Sequence, residues 1–207
     1  MELNANLVKE LREKTGAGIM DCKRALAETG GNLEKAVVWL REKGIAAAAG
    51  RAGRVASEGS VGSYIHAGGK IGVLIEVNCE TDFCAKSEAF LALVKNLAMQ
   101  VAASPSTRCV RREELPAAVI EQERQIYASQ AEGKPAVVVT KIVDGKIEKF
   151  YKEACLLEQA YVRDPNKTVT DLLGEAAIQM REKIDVRRFV RYQLGEALDA
   201  EATTAVA

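Results

Sequence analysis

Histidine and tryptophan are almost missing from this 207-residue chain, with one of each, and proline is sparse at four. With His66 as the only histidine, any hydrolase built on a histidine base has a single candidate. That residue abuts a Gly-Gly turn in a Tyr64-Ile65-His66 strand context, where a plain surface position is the simpler reading. Net charge is also missing. Lys+Arg and Asp+Glu each total 29, so no field draws the protein onto nucleic acid or an anionic membrane, and a folded protein partner fits better. No apolar run approaches the roughly 20 residues that span a bilayer. No phosphate loop is present, because "GGK" at Gly68–Lys70 lacks the longer glycine spacing ending in Lys and Ser or Thr at a helix start.

Five cysteines (Cys22, Cys79, Cys84, Cys109, Cys155) are odd in number and scattered, unlike a secreted disulfide framework, and read as buried thiols. Cys79 and Cys84 are near each other, but a zinc site takes about four ligands and the one histidine is elsewhere, so neither metal nor cofactor is expected. Cys84 beside Asp82 has no second residue placed to lower its pKa as a nucleophile needs. The Glu113-Glu114 pair sits amid Arg111 and Arg112, as solvated helix starts do. Nothing in the residue types argues for catalysis.

The composition that is present, 48% hydrophobic and 28% charged, is that of an ordinary globular protein, and the length suits a main core plus a small satellite. The opening "MELNANLVKELREKTG" carries carboxylates early and reads directly into an amphipathic helix. It gives the expectation of neither signal nor transit peptide, and of a cytoplasmic protein. Leu3, Leu7, Val8 and Leu11 recur at helical spacing until Thr15-Gly16-Ala17-Gly18 turns the chain. Ile19, Cys22, Ala25 and Leu26 share the face of a second helix that ends at Gly30-Gly31, and Asn32 caps a third bearing Leu33, Ala36, Val37 and Leu40. This three-helix bundle resembles a ubiquitin-association-type module. An Ala-rich helical tail and a Gly/Ser linker follow, which sets domains at 1–55 and 56–207.

From Val61 the pattern changes. Val61, Ser63 and Ile65 alternate, Ala67–Lys70 turns, and Ile71, Val73, Ile75 and Val77 alternate again, predicting a hairpin. Val186–Leu194 alternates as a third antiparallel strand. Between them Ser87 caps a helix striped by Phe90, Val94, Leu97 and Val101, Pro116 opens another toward Ala131, and Thr168 with Asp171 opens a last one toward Met180. The fold class is therefore α+β, with a three-stranded antiparallel sheet packed by helices. Thr81, Asp82 and Phe83 fall on the strand-to-helix loop, where spacing leaves open whether the Phe83 ring fills the core or is presented to a partner. Residues 136–153 divide the methods, since Asp144-Gly145 among β-branched residues reads as a hairpin.

Five segments carry a resemblance: "LVKELREKTGAGIMDCKRALAETGGNLEKAVVWLREKG", "SYIHAGGKIGVLIEV", "CETDFCAKSEAF", "LLEQAYVRDPNKTV" and "RRFVRYQLGE". Together they resemble the translation elongation factor Ts family in family order, in its short form. The resemblance implies a non-enzymatic nucleotide exchange factor whose partner is elongation factor Tu. It implies that the loop of Thr81, Asp82, Phe83 and Cys84 enters the partner's GTPase domain and dislodges its Mg²⁺, and that Arg12, Met20 and Lys23 match the docking contacts of the N-terminal module. It further implies two helices over 136–153 and, because the short form lacks a duplicated core half, a homodimer. The family usually has Val where this chain has Cys84; both are small and apolar, but oxidation here would add polarity. The competing reading is a ubiquitin-association-like adaptor on a dimerisation platform, which binds a helix without accelerating nucleotide release. A cysteine hydrolase would instead lose all activity on thiol alkylation.

Overall fold

The computed structural model describes residues 5–15, 17–51 and 53–196. Leu3, Gly16 and, in the expected linker, Ala52 lie outside them. The order is α1 (Ala5–Thr15), α2 (Ile19–Glu28), α3 (Leu33–Arg51), β1 (Glu58–Ile65), β2 (Ile71–Cys79), α4 (Asp82–Ala85), α5 (Glu88–Ala103) and α6 (Ala117–Ser129). Then come α7 (Ala136–Ala154), β3 (Ala160–Tyr161), β4 (Asp164–Thr168), α8 (Val169–Met180) and β5 (Asp185–Gln193). The class is α+β, with one three-stranded sheet ordered β1-β2-β5 and a two-stranded β3-β4 ribbon. Among the described residues no helix is long and apolar enough to cross a membrane.

Contacts divide the chain into two compact units. The first gathers residues 1–59, 78–90 and 171–185, and the second 60–77, 91–170 and 186–207. In the first, Val8, Leu11, Cys22, Ala25, Leu26 and Ala36 form a buried cluster, with Leu33, Val37 and Leu40 packed on it. Ile19, expected on that inner face, is instead 48% exposed. Gly30 and Gly31 adopt positive φ of 61° and 81°, and the Gly31 N–H donates to the Leu26 carbonyl at 2.7 Å. A left-handed pair of this kind closes a helix end at no steric cost to glycine. Asn32 Oδ1 then accepts from the Lys35 N–H at 2.9 Å, the cap that starts α3. Gly44 of α3 lies so close to Ile178 of α8 that a methyl group there would overlap it.

In the second unit the hairpin closes with the His66 N–H on the Ile71 carbonyl, and the Leu194 N–H on the Lys70 carbonyl sets β5 antiparallel to β2. Val73, Ile75 and Val77 are buried, and α5 lies against this face. A side chain at Gly62 would run into Val94, so glycine is what permits the approach. The stripe Phe90, Val94, Leu97 and Val101 is buried as the spacing predicts. The opposite face of β1 and of the distal halves of β2 and β5 is open. Val61, Ile65, Leu74, Val190 and Tyr192 are all exposed there, between 38% and 68%. Period-two alternation was thus read correctly, although in β1 its apolar members point outward.

Residues 136–154 are helical, not a hairpin, and form one unbroken α7 rather than two helices. Its buried residues Val143, Ile147, Phe150 and Ala154 recur at spacings of three and four, and this long apolar stripe overrides the local Asp144-Gly145 turn signal. At its C-terminal end a buried polar network joins helix to ribbon. Gln100 Nε2 donates to Gln159 Oε1 at 3.0 Å, and Gln100 Oε1 accepts from the Val162 N–H at 2.8 Å. Gln159 Nε2 donates to Thr107 Oγ1 at 2.7 Å. Buried amides are retained when their donors and acceptors find partners in this way.

Candidate partner-binding turn

β2 ends at Cys79, and two residues later the chain enters α4, a single helical turn where the sequence alone suggested an irregular loop. A four-residue helix has too few internal bonds to be stable by itself, so its geometry must be imposed from outside. Thr81 caps it, its Oγ1 accepting from the Cys84 N–H at 3.2 Å. The Glu182 carboxylate, just beyond α8, then holds the cap. Its Oε2 accepts from the N–H groups of Glu80 (2.9 Å) and Thr81 (3.1 Å), and its Oε1 accepts from the Thr81 hydroxyl at 2.5 Å. In return Glu80 accepts from the Lys183 N–H at 2.6 Å and pairs with Arg54 at 3.1 Å. The Lys183 N–H and, secondarily, Arg54 hold the Glu80 carboxyl below its ordinary pKa.

On this support the side chains diverge. Phe83 is 84% exposed, which excludes core filling. Asp82 pairs with Lys86 at 2.7 Å, and that hydrogen bond lowers its pKa. Cys84 turns inward, buried, with its Sγ 3.6 Å from Met180 Sδ. Burial pushes its thiol up to about 12, so at neutral pH it is protonated and a poor nucleophile. Downstream, Ser87 Oγ donates to the Cys84 carbonyl at 2.8 Å and accepts from the Phe90 N–H at 3.2 Å, closing α4 and capping α5 in one residue.

The remaining expected contact residues lie in the same unit, on its N-terminal bundle. Arg12 is exposed on α1, and Met20 and Lys23 are exposed one helical step apart on α2. Met20 is 71% exposed next to exposed Ile19, a small apolar patch flanked by cations. The start of α2 is fixed by an Asp21–Arg181 pair at 2.5 Å, and Arg181 leaves α8 with φ of 59°. Sequence reasoning missed Glu80, Arg181 and Glu182. Glu80 lies inside the quoted motif with nothing to set it apart, and the one sequence signal for Arg181 and Glu182 is a charged run after Met180, which by itself reads as solvated surface.

A cavity of about 440 Å³ in the second unit is lined by Tyr64, His66, Met99, Arg163 and Arg191 among others. His66 there is exposed and shares a 3.1 Å hydrogen bond with the Tyr64 hydroxyl, with no serine or cysteine among the lining residues.

The model of the family described as elongation factor TS matches residues 4–196. The chain belongs to the elongation factor Ts family. A relative named elongation factor Ts from Desulforamulus reducens is 60% identical over 200 residues, covering 96% of this chain and 92% of the relative. Another, from Thermoanaerobacter sp., is 57% identical with 97% and 98% covered, and one from Geobacter metallireducens is 57% identical with 98% and 94% covered. The elongation factor Ts matches run through both units, so the exposed Phe83 turn and the N-terminal bundle lie within the matched region together.

Proposed function

We propose that this protein is a nucleotide exchange factor for elongation factor Tu: it binds the GDP-bound GTPase, displaces Mg²⁺ from the nucleotide site and releases GDP so that GTP can bind. The observation that carries this reading is an aromatic ring held almost fully in solvent on a turn that three other residues rigidify. Exposing Phe83 has no return within the free protein, whereas a projecting aromatic anchor can occupy a partner pocket. Thr81, Asp82, Phe83 and Cys84 act as the inserted element, and Arg12, Met20 and Lys23 dock the N-terminal module. Mg²⁺ neutralises phosphate charge, so losing its coordination weakens GDP binding without any bond being broken. The protein acts in the cytoplasm, without catalysis, cofactor or direct contact with nucleic acid or membrane.

In functional terms residues 1–55 are the docking module and residues 56–207 the core. The core pairs as a homodimer through the open face of its sheet. Val61, Ile65, Leu74, Val190 and Tyr192 give that face the flat apolar character that a self-complementary two-fold interface uses.

Release of fluorescent GDP from elongation factor Tu, with and without this protein, tests the reading. Acceleration by a substoichiometric amount is expected, whereas binding without acceleration would leave an adaptor. A chain lacking residues 1–55 should exchange poorly at subsaturating concentration and regain rate as concentration rises. Wild-type efficiency in the truncated chain would remove the docking role.

A further inference from the structure

Cys79 and Cys84 offer two sulfur ligands close in sequence, too few for a metal centre, and the fold brings a third ligand from near the other end of the chain. The two Sγ atoms and a carboxylate oxygen of Glu182 all lie within 4.8 Å of one another in the first unit. We propose that Cys79, Cys84 and Glu182 form a binding site for a thiophilic divalent cation of the Zn²⁺ class, with water as the fourth ligand.

The geometry is near closure. Zinc binds thiolate at about 2.3 Å and carboxylate at about 2.0–2.2 Å, so ligands on a tetrahedral centre stand roughly 3.5–4 Å apart. Side-chain adjustments of about 1 Å therefore suffice. The surroundings are also suitable. Both thiols are buried, and Glu182 is partly exposed, which leaves the carboxylate side as the side open to solvent. Glu182 Oε2 already accepts two backbone N–H groups, and Oε1 accepts the Thr81 hydroxyl. Backbone bonds thus orient the carboxylate in the way that supporting hydrogen bonds orient metal ligands. The Met180 thioether, 3.6 Å from Cys84 Sγ, adds a soft, polarisable neighbour.

The proton balance is definite. Burial keeps both thiols protonated at neutral pH, so the cation replaces two protons, which pass to solvent, and forms two metal–sulfur bonds with no change of oxidation state.

Full-length protein, reduced and freed of metal by a chelator, is titrated with Zn²⁺ against a colorimetric chelator. A parallel Cd²⁺ titration reads the thiolate-to-metal absorption band. We expect one cation per chain, a band of two-thiolate intensity, and calorimetric heats that vary between buffers as release of two protons requires. Cys84→Val keeps the apolar volume and should weaken binding at least about tenfold with an unchanged far-ultraviolet circular dichroism spectrum. Cys109→Ala removes one sulfur of the other close thiol pair, Cys109 and Cys155 at 3.6 Å in the second unit, and should leave binding unaltered. Failure to saturate, undiminished affinity in folded Cys84→Val, or loss of binding in Cys109→Ala would each overturn the site.

Discussion

Replacing Phe83 with Ala should separate stability from exchange. The ring is 84% exposed, so truncation removes almost no buried surface from the free protein, and the stability change should stay within about 0.5 kcal/mol. The turn itself does not depend on the ring, because its bonds run through Thr81, Glu182 and Ser87. In the complex the accounting differs. Full burial of a phenylalanine side chain contributes roughly 1.5–3 kcal/mol, and aromatic anchors commonly contribute about 2 kcal/mol or more to binding. If the receiving pocket is open in the nucleotide-loosened state of elongation factor Tu, that energy biases the partner toward release rather than adding uniform affinity. A loss of about 2 kcal/mol then cuts exchange efficiency roughly thirtyfold, at about 1.4 kcal/mol per factor of ten. Stopped-flow release of fluorescent GDP at subsaturating protein, with melting temperature measured on the same preparation, gives both readouts. A folded Phe83→Ala that exchanges at the wild-type rate refutes the anchor, and so does a defect that merely follows a lowered melting temperature.

Glu182→Gln keeps one acceptor oxygen but loses the charge that three donors share, so it should cost about 1–2 kcal/mol and lower Tm by a few degrees, while slowing GDP release by more than that instability explains. An unchanged Tm would show that the carboxylate does not hold the turn. Ile65→Lys places a charge on the open sheet face, where the free chain tolerates it because the residue is 66% exposed, and if the core pairs through this face as proposed, light scattering should report a shift from dimer to 22.4 kDa monomer with an unchanged far-ultraviolet circular dichroism spectrum. A dimer that survives the change at micromolar concentration would locate the interface elsewhere. For Cys84 the folded-state pKa is raised from 9.0 to about 12, so the fold holds this proton more tightly than the unfolded chain does. Its contribution is complete below pH 9 and is lost as pH rises toward 12, so denaturant unfolding should show wild type losing more stability over that window than Cys84→Val. Parallel curves would contradict the burial effect.

Local signals in the sequence were sufficient wherever neighbouring residues decide the structure. The Asn32 and Ser87 caps, the α5 stripe from Phe90 to Val101 and the hairpin turn before Ile71 all depend on groups a few positions apart, and each was legible. Residues 136–154 misled the local reading, because Asp144-Gly145 has the chemistry of a turn while the longer stripe of Val143, Ile147, Phe150 and Ala154 favours a continuous helix. The candidate turn was half legible. Its residue types stood out through the family motif, but whether Phe83 faced inward or outward depends on Cys84 and Met180 filling the interior beside it. The carboxylate that fixes Thr81 comes from Glu182, and no period or spacing connects two groups so far apart in sequence. The β3-β4 ribbon escaped for the same reason, since its anchor, Gln100, lies in α5 and is recognisable only once its amide is seen to be satisfied.

What the turn gains from this distant support is order before binding. An isolated four-residue helix would fluctuate, and a partner would have to supply the entropy of fixing its backbone, on the order of 1–2 kcal/mol per residue. With Thr81, Glu182 and Ser87 already holding Asp82–Ala85, that cost is met in folding, and little of it is charged to the complex. If Phe83 inserts into the partner as proposed, the energy of burying it is then available to distort the partner rather than to order the protein that carries it. Such an arrangement has a limit set by reciprocity. A factor that weakens GDP binding by some ratio is itself bound more weakly, by the same ratio, when GDP is present. On the proposed function, rigidity in the turn raises affinity for every nucleotide state alike, and selectivity must come from where the Phe83 ring projects. Changes that loosen the turn, such as Glu182→Gln, should accordingly weaken binding to nucleotide-free and GDP-bound elongation factor Tu by similar factors. Phe83→Ala should weaken the nucleotide-free complex preferentially, and equal losses in both complexes would mean that the ring supplies affinity without driving exchange.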